Sequence, residues 1–437
     1  MKQYYNKLRK YINNSAWIMA EKLFHIGVTF LLTVLLARYL GPDKFGLYSY
    51  AISVAAIFAT AGHVGLSGLV VKHIVVHPPE VNLTMGSSLF LKLSGGLIGY
   101  LILIAYGLLY EGYNSIEFQL LAITGLTLLL IPFDIIDYWF QAGLKSRYST
   151  IARTTGLFAG AAAKLACISS GLGLIYIISA NVIQASVVAI IFLTLYARYA
   201  ESKWTKWRVS KKKCKELLSD GWQVYLGSIF AVIYLKVDQV MLKWLDSADS
   251  VGIYAVAAQL SEAWYFIPVA IVASTFPKLI DLRAKCKIEF DLRFQQLLDI
   301  LFMIAAIVAI TMTLISEALI EIFYGEAYVD SATILTIHIW AGLFIFMRTA
   351  FSRWIIIENA LMFSLITQGT GALVNVILNF IFIPKFGGIG AAYSTLIAYA
   401  FASFFTLAMY KKTRPVFLMM AKSFIFIPRI ILSRANR

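Results

Sequence analysis

The sequence carries one pattern twice, as LGPDKFGLYSYA at residues 40–51 and as LDSADSVGIYAVA at residues 245–257. Gly46 and Tyr48 of the first copy correspond to Gly252 and Tyr254 of the second, at a constant offset of 206 residues. A pattern that recurs after about half the chain indicates an internal repeat, and a repeat of this length decides the architecture.

A second set of matches lies 215 positions apart. It pairs Trp139, Gly156 and Lys164 with Trp354, Gly371 and Asn379. Both sets link a helix with the sixth helix after it, which predicts two six-helix lobes of the same orientation, related by a pseudo-twofold axis along the membrane normal. The predicted domains are an N-terminal lobe at 1–197, a basic cytoplasmic linker at 198–218, a C-terminal lobe at 219–410 and a basic amphipathic tail at 411–437.

The turn inside the first copy has a simple local explanation. Pro42 cannot extend a helix and Gly41 tolerates unusual backbone angles, so this pair is expected to end the first helix. Gly46 and Tyr48 then begin the second helix, with the tyrosine near the membrane interface.

The composition predicts an all-α integral membrane protein. Of 437 residues, 60% are hydrophobic and 14% are charged, and the mean hydropathy is +0.77, whereas soluble domains are about 25% charged. Apolar runs of about 20 residues, each long enough to cross a bilayer, recur along the whole chain. About twelve spans are predicted, near 15–37, 45–70, 83–109, 118–140, 149–170, 173–197, 219–244, 250–274, 294–316, 331–357, 361–383 and 388–410.

The formal net charge of +15 follows the predicted topology. Lysines and arginines cluster at alternate connections, as in KKKCK at 211–215, whereas residues 317–330 carry only acids among their charged side chains. By the positive-inside rule, both termini are expected in the cytoplasm. This distribution disfavours a nucleic-acid-binding surface.

Metal, cofactor and nucleotide chemistry find no support in the sequence. Cys167, Cys214 and Cys286 are scattered without a CxxC motif, so neither a zinc site nor a disulfide is predicted. The five histidines show no ligand spacing. No GxxxxGK[ST] motif occurs, and no cofactor is predicted.

Several stretches, in this order, resemble the polysaccharide transporter family, the Wzx-type flippases of O-antigen or exopolysaccharide. They are LARYLGPDKFGLYSYA, YLKVDQVMLKWL, VGIYAVAAQL, YGEAY and NVILNFIFIPKFGGIGAA, and the resemblance covers residues 10–410. It implies the two-lobe fold that MATE exporters and lipid II flippases share within the MOP superfamily. It also implies that the chain is a transporter in a bacterial inner membrane rather than an enzyme. Lipid II flippases typically have about fourteen helices, which disfavours that assignment here.

Ionisable groups inside the spans are the candidate functional residues, because charge in hydrocarbon is costly and marks a site or a pathway. Lys92 and Glu262 lie near the middle of their spans, and Glu262 is the first candidate for a protonatable acid. The substrate-binding candidates are Lys92, Lys22, Lys164, Lys236, Arg348 and Arg353. The ion-coupling candidates are Glu262, Asp238, Asp134 and Asp137. For the lysines and Arg348 the alternative is a structural ion pair between the lobes. For Asp134 and Asp137 it is an ion pair at the helix end, with Arg147 and Arg153 available beyond that end.

Asn375 and Asn379 lie four residues apart, on one face of a helix, and Asn379 takes the repeat position of Lys164. Polar contact between helices is the first explanation for this pair.

These charges predict a cationic cavity between the lobes. Through it a polyprenyl-pyrophosphate-linked oligosaccharide, such as an O-antigen repeat unit of lipopolysaccharide, would pass from the cytoplasmic to the outer leaflet by alternating access. Expected partners also include anionic membrane lipids near the linker, and the polysaccharide polymerase and chain-length machinery. The alternatives are a MATE-type drug exporter, which requires acids in its cleft, a lipid II flippase, and a polymerase or ligase of lipid-linked glycans.

The last segment, RPVFLMMAKSFIFIPRIILSRANR, is basic at both ends and contains Lys422 and Pro428. It is predicted to form an interfacial helix rather than a thirteenth span, which would reverse the side of the C-terminus.

Overall fold

The computed structural model describes residues 2–63, 65–200, 204–358 and 360–425. Within these ranges the regular structure is helical, and no strand occurs. The first helices are α1 (Lys2–His63), α2 (Ser67–Val76), α3 (Val81–Tyr110), α4 (Ile116–Gly125), α5 (Thr127–Leu130), α6 (Ile135–Ala142), α7 (Ser146–Ser169) and α8 (Leu174–Tyr199). The others are α9 (Lys211–Leu245), α10 (Ala248–Glu262), α11 (Phe266–Lys285), α12 (Lys287–Tyr324), α13 (Asp330–His338), α14 (Ala341–Ile357), α15 (Leu361–Ala400), α16 (Thr406–Met409) and α17 (Arg414–Phe424).

Ten helical segments of the described chain are long and apolar enough to cross a membrane. Two of them, Glu21–Val76 and Met362–Met409, have 56 and 48 residues, about twice the length of one crossing. Each contains a glycine with non-helical backbone, Gly41 at φ +71° and Gly387 at φ +53°. Divided at these kinks, the ten segments supply twelve passes, as the sequence predicts. The expected end of the first helix at Gly41 is confirmed.

The chain divides into two compact units, Met1–Val232 and Ile233–Arg437, called here the N unit and the C unit. The boundary falls inside α9, so the described part of the predicted linker, 204–218, belongs to the N unit. The predicted linker role of this segment stays a prediction.

Glycines set the closest helix approaches inside the N unit. A Cβ at Gly95 of α3 would overlap the carbonyl oxygen of Ala61, and one at Gly96 would overlap that of Leu128. The backbones of α1 and α5 therefore touch α3, the arrangement that small residues permit between membrane helices. This contact lies one turn after Lys92 and fixes the depth at which that side chain enters the unit.

A GxxxG pattern joins α7 to α8. A Cβ at Gly156 would overlap Cγ2 of Val188, and one at Gly160 would stand 2.5 Å from Oε1 of Gln184. The two glycines hold Gln184 and Val188 against α7, where both side chains face the cavities described below.

In the C unit, the short helix α17 packs against α12. The amide of Gln295 donates to the carbonyl oxygen of Met419 at 3.0 Å, and the hydroxyl of Ser423 donates to Asp299 at 2.8 Å. Eleven residues are too short to span a bilayer. The interfacial position of the tail stays a prediction, and residues 426–437 of that segment lie outside the described residues.

Another C-unit contact joins α11 to the end of α14. Arg283 donates to both carboxylate oxygens of Glu358, from Nε at 2.5 Å and from Nη2 at 3.2 Å. Such a fork is stronger than a single-bond ion pair. The Arg283 guanidinium lowers the pKa of the Glu358 carboxyl.

Replacing Glu358 with glutamine should lower the thermal stability of the purified protein at pH 7, by about 1 kcal/mol for this half-buried pair. A lowered pKa stabilises the fold above the unfolded pKa of the group, and this contribution is lost as the pH falls through the folded value. The wild type should therefore lose its advantage over E358Q as the pH falls below about 4.3, the pKa of an unfolded glutamate, and thermal unfolding between pH 7 and about 2.5 would show this loss. Glu289→Gln, at an exposed glutamate near the start of α12, is the control. An advantage that persists unchanged at about pH 2.5 would contradict the assignment.

Candidate functional site

Lys92 is completely buried in the N unit and is not a free cation. Its ammonium group forms an ion pair with Asp134 and donates to the hydroxyl of Tyr138 at 3.2 Å. It also stands 5.0 Å from the centre of the Tyr138 ring. Both partners lie in the N unit, so this is not the ion pair between the lobes that the sequence analysis keeps as the alternative. A substrate-binding role for Lys92 stays a prediction.

Pro132 positions the acid of this pair. It begins the 3₁₀ turn Ile131–Asp134, which separates α5 from α6 and breaks the fourth pass near its middle. Proline lacks the N–H that a continuing helix needs, so the break is built into the sequence. The turn places the Asp134 side chain between Lys92, with which it pairs, and a cavity that it lines. A quarter of this side chain is exposed.

Two adjoining cavities of the N unit, about 290 and 330 Å³, share three lining residues: Arg153, Gln184 and Val188. We call them together the N-unit groove. Their other polar lining residues are Thr127, Asp134 and Asn181 in the first, and Glu21, Lys22 and His25 in the second. Three passes line this groove. The fifth and sixth contribute Arg153 and Gln184 to both cavities, and the first contributes Lys22 to the second cavity.

Arg153 is the charged residue among the three that line both cavities. Its Nη2 donates to Asp137, which is buried and also accepts from the Gln141 amide at 2.9 Å. The rest of the guanidinium remains accessible, with 42% of the Arg153 side chain exposed. A guanidinium has five N–H donors in a fork that matches phosphate, so Arg153 can hold Asp137 and an anion together. Lys22 is exposed on the same groove and supplies a second cation.

Lys164 lies apart from the groove. Its side chain is nearly buried and its ammonium stands 5.9 Å from the centre of the Tyr48 ring. The hydroxyl of Tyr48 is 3.3 Å from the side-chain nitrogen of Asn181, which lines the first cavity. The repeated tyrosine therefore connects the fifth pass with the sixth.

In the C unit, the matching tyrosine is one of several polar groups around a buried acid. Asp238 is buried and accepts from the hydroxyl of Tyr254 at 2.8 Å, the amide of Asn379 at 2.6 Å and the hydroxyl of Thr395 at 2.5 Å. The side-chain nitrogen of Asn379 also lies 3.4 Å from the side-chain oxygen of Asn375, a long hydrogen bond. The two asparagines are thus in polar contact, and they also complete a neutral shell around a carboxylate. The side-chain oxygen of Asn379 is buried and finds no hydrogen-bond partner among the residues that the structure describes.

The other C-unit candidates are dispersed. Lys236 and Glu262 stand 3.7 Å apart, both partly exposed. Arg348 is buried and donates to the carbonyl oxygen of Ala402 and the hydroxyl of Thr367, each at 3.3 Å. Arg353 lies over the ring of Phe276 at 5.2 Å. Arg348 therefore supports backbone carbonyls of the π-helical turn Phe401–Phe405.

Sequence reasoning placed Arg153 only as a possible partner of the two aspartates. It missed Glu21, His25, Asn181 and Gln184 because it ranked residues by charge and depth. The GxxxG pattern at 156–160 was an available signal, since it marks α7 as the surface on which α8 and its Gln184 pack.

Comparisons with known proteins agree on the kind of molecule. Residues 11–282 match a family model described as a polysaccharide biosynthesis protein. A Shigella flexneri protein named "Putative O-antigen transporter" is 26% identical over 75% of this chain and 80% of its own. A Haloferax volcanii protein named "Probable flippase AglR" is 24% identical over 85% and 78%.

Solved structures share the fold. An inward-facing MATE family transporter of the MOP superfamily superimposes with a TM-score of 0.72 over 91% of this chain and 96% of its own, at 14% identity. The lipid II flippase MurJ in an inward closed conformation gives 0.69 over 95% and 92%, at 17% identity. The predicted MATE-like fold is confirmed.

Lys92→Met should destabilise the protein strongly, by about 3–5 kcal/mol, because it leaves Asp134 without its cation. The double variant K92M/D134N should recover most of this loss, since neither charge then remains unpaired. Thermal unfolding of the two single variants and the double measures the coupling. A double variant that is stable yet inactive in transport would assign the pair a role in function as well. Additive single effects would show that the pair is not coupled.

Proposed function

Since this chain belongs to the polysaccharide biosynthesis protein family, we propose that it is a flippase for a lipid-linked glycan in the cytoplasmic membrane of a bacterium. The substrate is a polyprenyl-pyrophosphate-linked oligosaccharide, the repeat unit of O-antigen or another surface polysaccharide. It moves from the cytoplasmic to the outer leaflet. The family and the two classes of neighbouring structure support a transporter rather than an enzyme.

The accessible cations of the N-unit groove carry the proposal. Arg153 and Lys22 face one polar groove. Of the acids at this groove, Asp134 pairs with Lys92 and Asp137 with Arg153. Glu21 lines the second cavity next to Lys22. A pyrophosphate cannot enter hydrocarbon, because burying a bare ion costs tens of kcal/mol. Fixed cations replace its hydration shell within the groove, and Asn181 and Gln184 offer hydrogen bonds to phosphate or sugar. A wider cationic passage between the two lobes stays a prediction.

The glycan anchor imposes a second requirement. The polyprenyl tail is as apolar as the bilayer, so it stays in lipid while only the head enters the protein. With both termini in the cytoplasm, an inside-negative potential favours export of the anionic head, by about 2.3 kcal/mol per charge per 100 mV. The potential is therefore one energy source, and ion exchange is the other.

Lys22→Gln and the double variant R153Q/D137N should each reduce transport about tenfold or more, the loss expected for one charge-assisted hydrogen bond of about 1.5–3 kcal/mol. The double variant removes Arg153 without leaving Asp137 as an unpaired buried acid. The measurement is complementation of a deletion strain, scored by lipid-linked repeat units stranded on the cytoplasmic face. Arg147→Gln, at an exposed arginine near the same helix end, is the control. Full complementation by R153Q/D137N and by K22Q would refute the groove as the anion site.

Asp238 is the ion-coupling group that we propose for the C unit. Its carboxylate lies among neutral donors rather than beside a cation, and the unpartnered oxygen of Asn379 adds an acceptor nearby. Such a shell can take up a proton or a small cation and lose it again. Glu262, in contrast, already faces Lys236.

Asp238→Asn should leave the substrate-binding groove intact but abolish the response of flipping to an imposed ion gradient. Reconstituted vesicles with a pH or sodium gradient, at zero potential, measure this. Glu262→Gln is the matched control and should retain the response. A D238N variant that still follows the gradient would exclude Asp238, and wild-type flipping that follows the potential but neither gradient would exclude ion coupling altogether.

A further inference from the structure

Two apolar troughs lie side by side on the N unit, between α3 and the chain that leads into α9. The first, of about 610 Å³, includes Trp204 and Trp207; the second, of about 790 Å³, includes Leu218 and Trp222. Phe90 and Val209 line both troughs and form the ridge between them. About half of the surface of each ridge residue is exposed.

Two lysines form a basic rim on the second trough. Lys211 and Lys215 line it, and both are exposed. Neither has a carboxylate within ion-pairing distance among the residues that the structure describes. Lys213, in the same turn, differs: it is buried and pairs with Glu80 at 2.9 Å and Glu216 at 3.3 Å. Lys213 therefore takes part in ion pairs within the N unit, whereas Lys211 and Lys215 remain exposed on the second trough.

The rim stands at the depth of lipid headgroups. Lys211 precedes Ser219, where the apolar run of α9 begins, by eight residues or about 12 Å of helix. Trp204 and Trp222 are both about half exposed, and tryptophan is enriched at the membrane interface. The apolar trough walls can contact the tails of a lipid, and the lysines at the rim can contact its charged headgroup.

We propose that the troughs bind one anionic diacyl phospholipid, with its phosphate at Lys211 and Lys215 and one acyl chain on each side of the Phe90–Val209 ridge. The paired troughs favour a two-chain lipid over a single polyprenyl chain. The exposed lysines favour an anionic head, since each basic residue near a membrane surface attracts acidic lipid.

A lipid bound in the troughs would stabilise the contact between α3 and the stretch before α9. The stretch before α9 is docked on α3: the N–H of Arg208 donates to the carbonyl oxygen of Asn82 at 3.1 Å, and the N–H of Ser210 donates to Oγ of Ser87 at 3.1 Å. A lipid in both troughs contacts α3 and this stretch together. Because it binds the docked arrangement, it stabilises that arrangement by mass action.

The test uses the full-length purified protein and measures phosphatidylglycerol and phosphatidylcholine binding by native mass spectrometry, beside the thermal shift that each lipid causes. We expect the wild type to prefer phosphatidylglycerol about tenfold or more. The double variant K211Q/K215Q should bind both lipids equally. The matched double variant K206Q/K212Q changes two exposed lysines that line neither trough and should keep the preference.

Val209→Trp should weaken the binding of both lipids, because it narrows both troughs without changing the charge. This variant also tests the site if K211Q/K215Q does not fold. Equal binding of the two lipids by the wild type, unchanged selectivity in K211Q/K215Q, or unchanged binding in V209W would each overturn the proposal. So would displacement of phosphatidylglycerol by an equimolar amount of polyprenyl phosphate, which would identify a single-chain ligand. None of these outcomes depends on transport activity.

Discussion

The ion pair between Lys92 and Asp134 is the contact on which the N-unit groove depends. A lysine at this depth is tolerated because a carboxylate and a phenol satisfy it. The same pair neutralises Asp134 on the first cavity of the groove, so the pyrophosphate of the proposed substrate would meet a compensated carboxylate at that point. Glycines that bring α3 against α1 and α5, and the proline that breaks the fourth pass, serve this one contact.

The repeat and the membrane spans could be predicted because they are written in local sequence. The break at Gly41 follows from a glycine and a proline side by side, and twelve passes follow from the length of apolar runs. The partners of the buried charges could not be predicted in the same way. Lys92 and Asp134 are 42 residues apart, and which charges meet depends on how the helices pack. Arg153 could be named from the sequence only as a possible partner of Asp134 and Asp137, because its exposure to the groove also depends on how the helices pack.

The two repeats use equivalent tyrosines for opposite charges. Tyr48 faces Lys164 and Asn181, whereas Tyr254 faces Asp238 and Thr395. Where the first repeat carries Lys164 the second carries Asn379, and Leu32 stands 206 positions before Asp238. The equivalent tyrosines thus meet a cation in the N unit and an acid in the C unit. This difference is the one expected if the substrate is an anion and the driving ion a cation, as proposed above.

Exposure separates the charges that hold the fold from those available to a ligand. Lys92 and Lys213 are buried and saturated by carboxylates, so substrate or lipid can reach them only by breaking a stabilising pair. Lys22 and Lys211 are open to their cavities, and Arg153 combines both states, with one nitrogen on Asp137 and the remainder on the groove. The predicted depth of a charged residue in its span indicates the free-energy cost of burying it. Whether the residue is available to a ligand depends on whether a neighbouring charge already neutralises it.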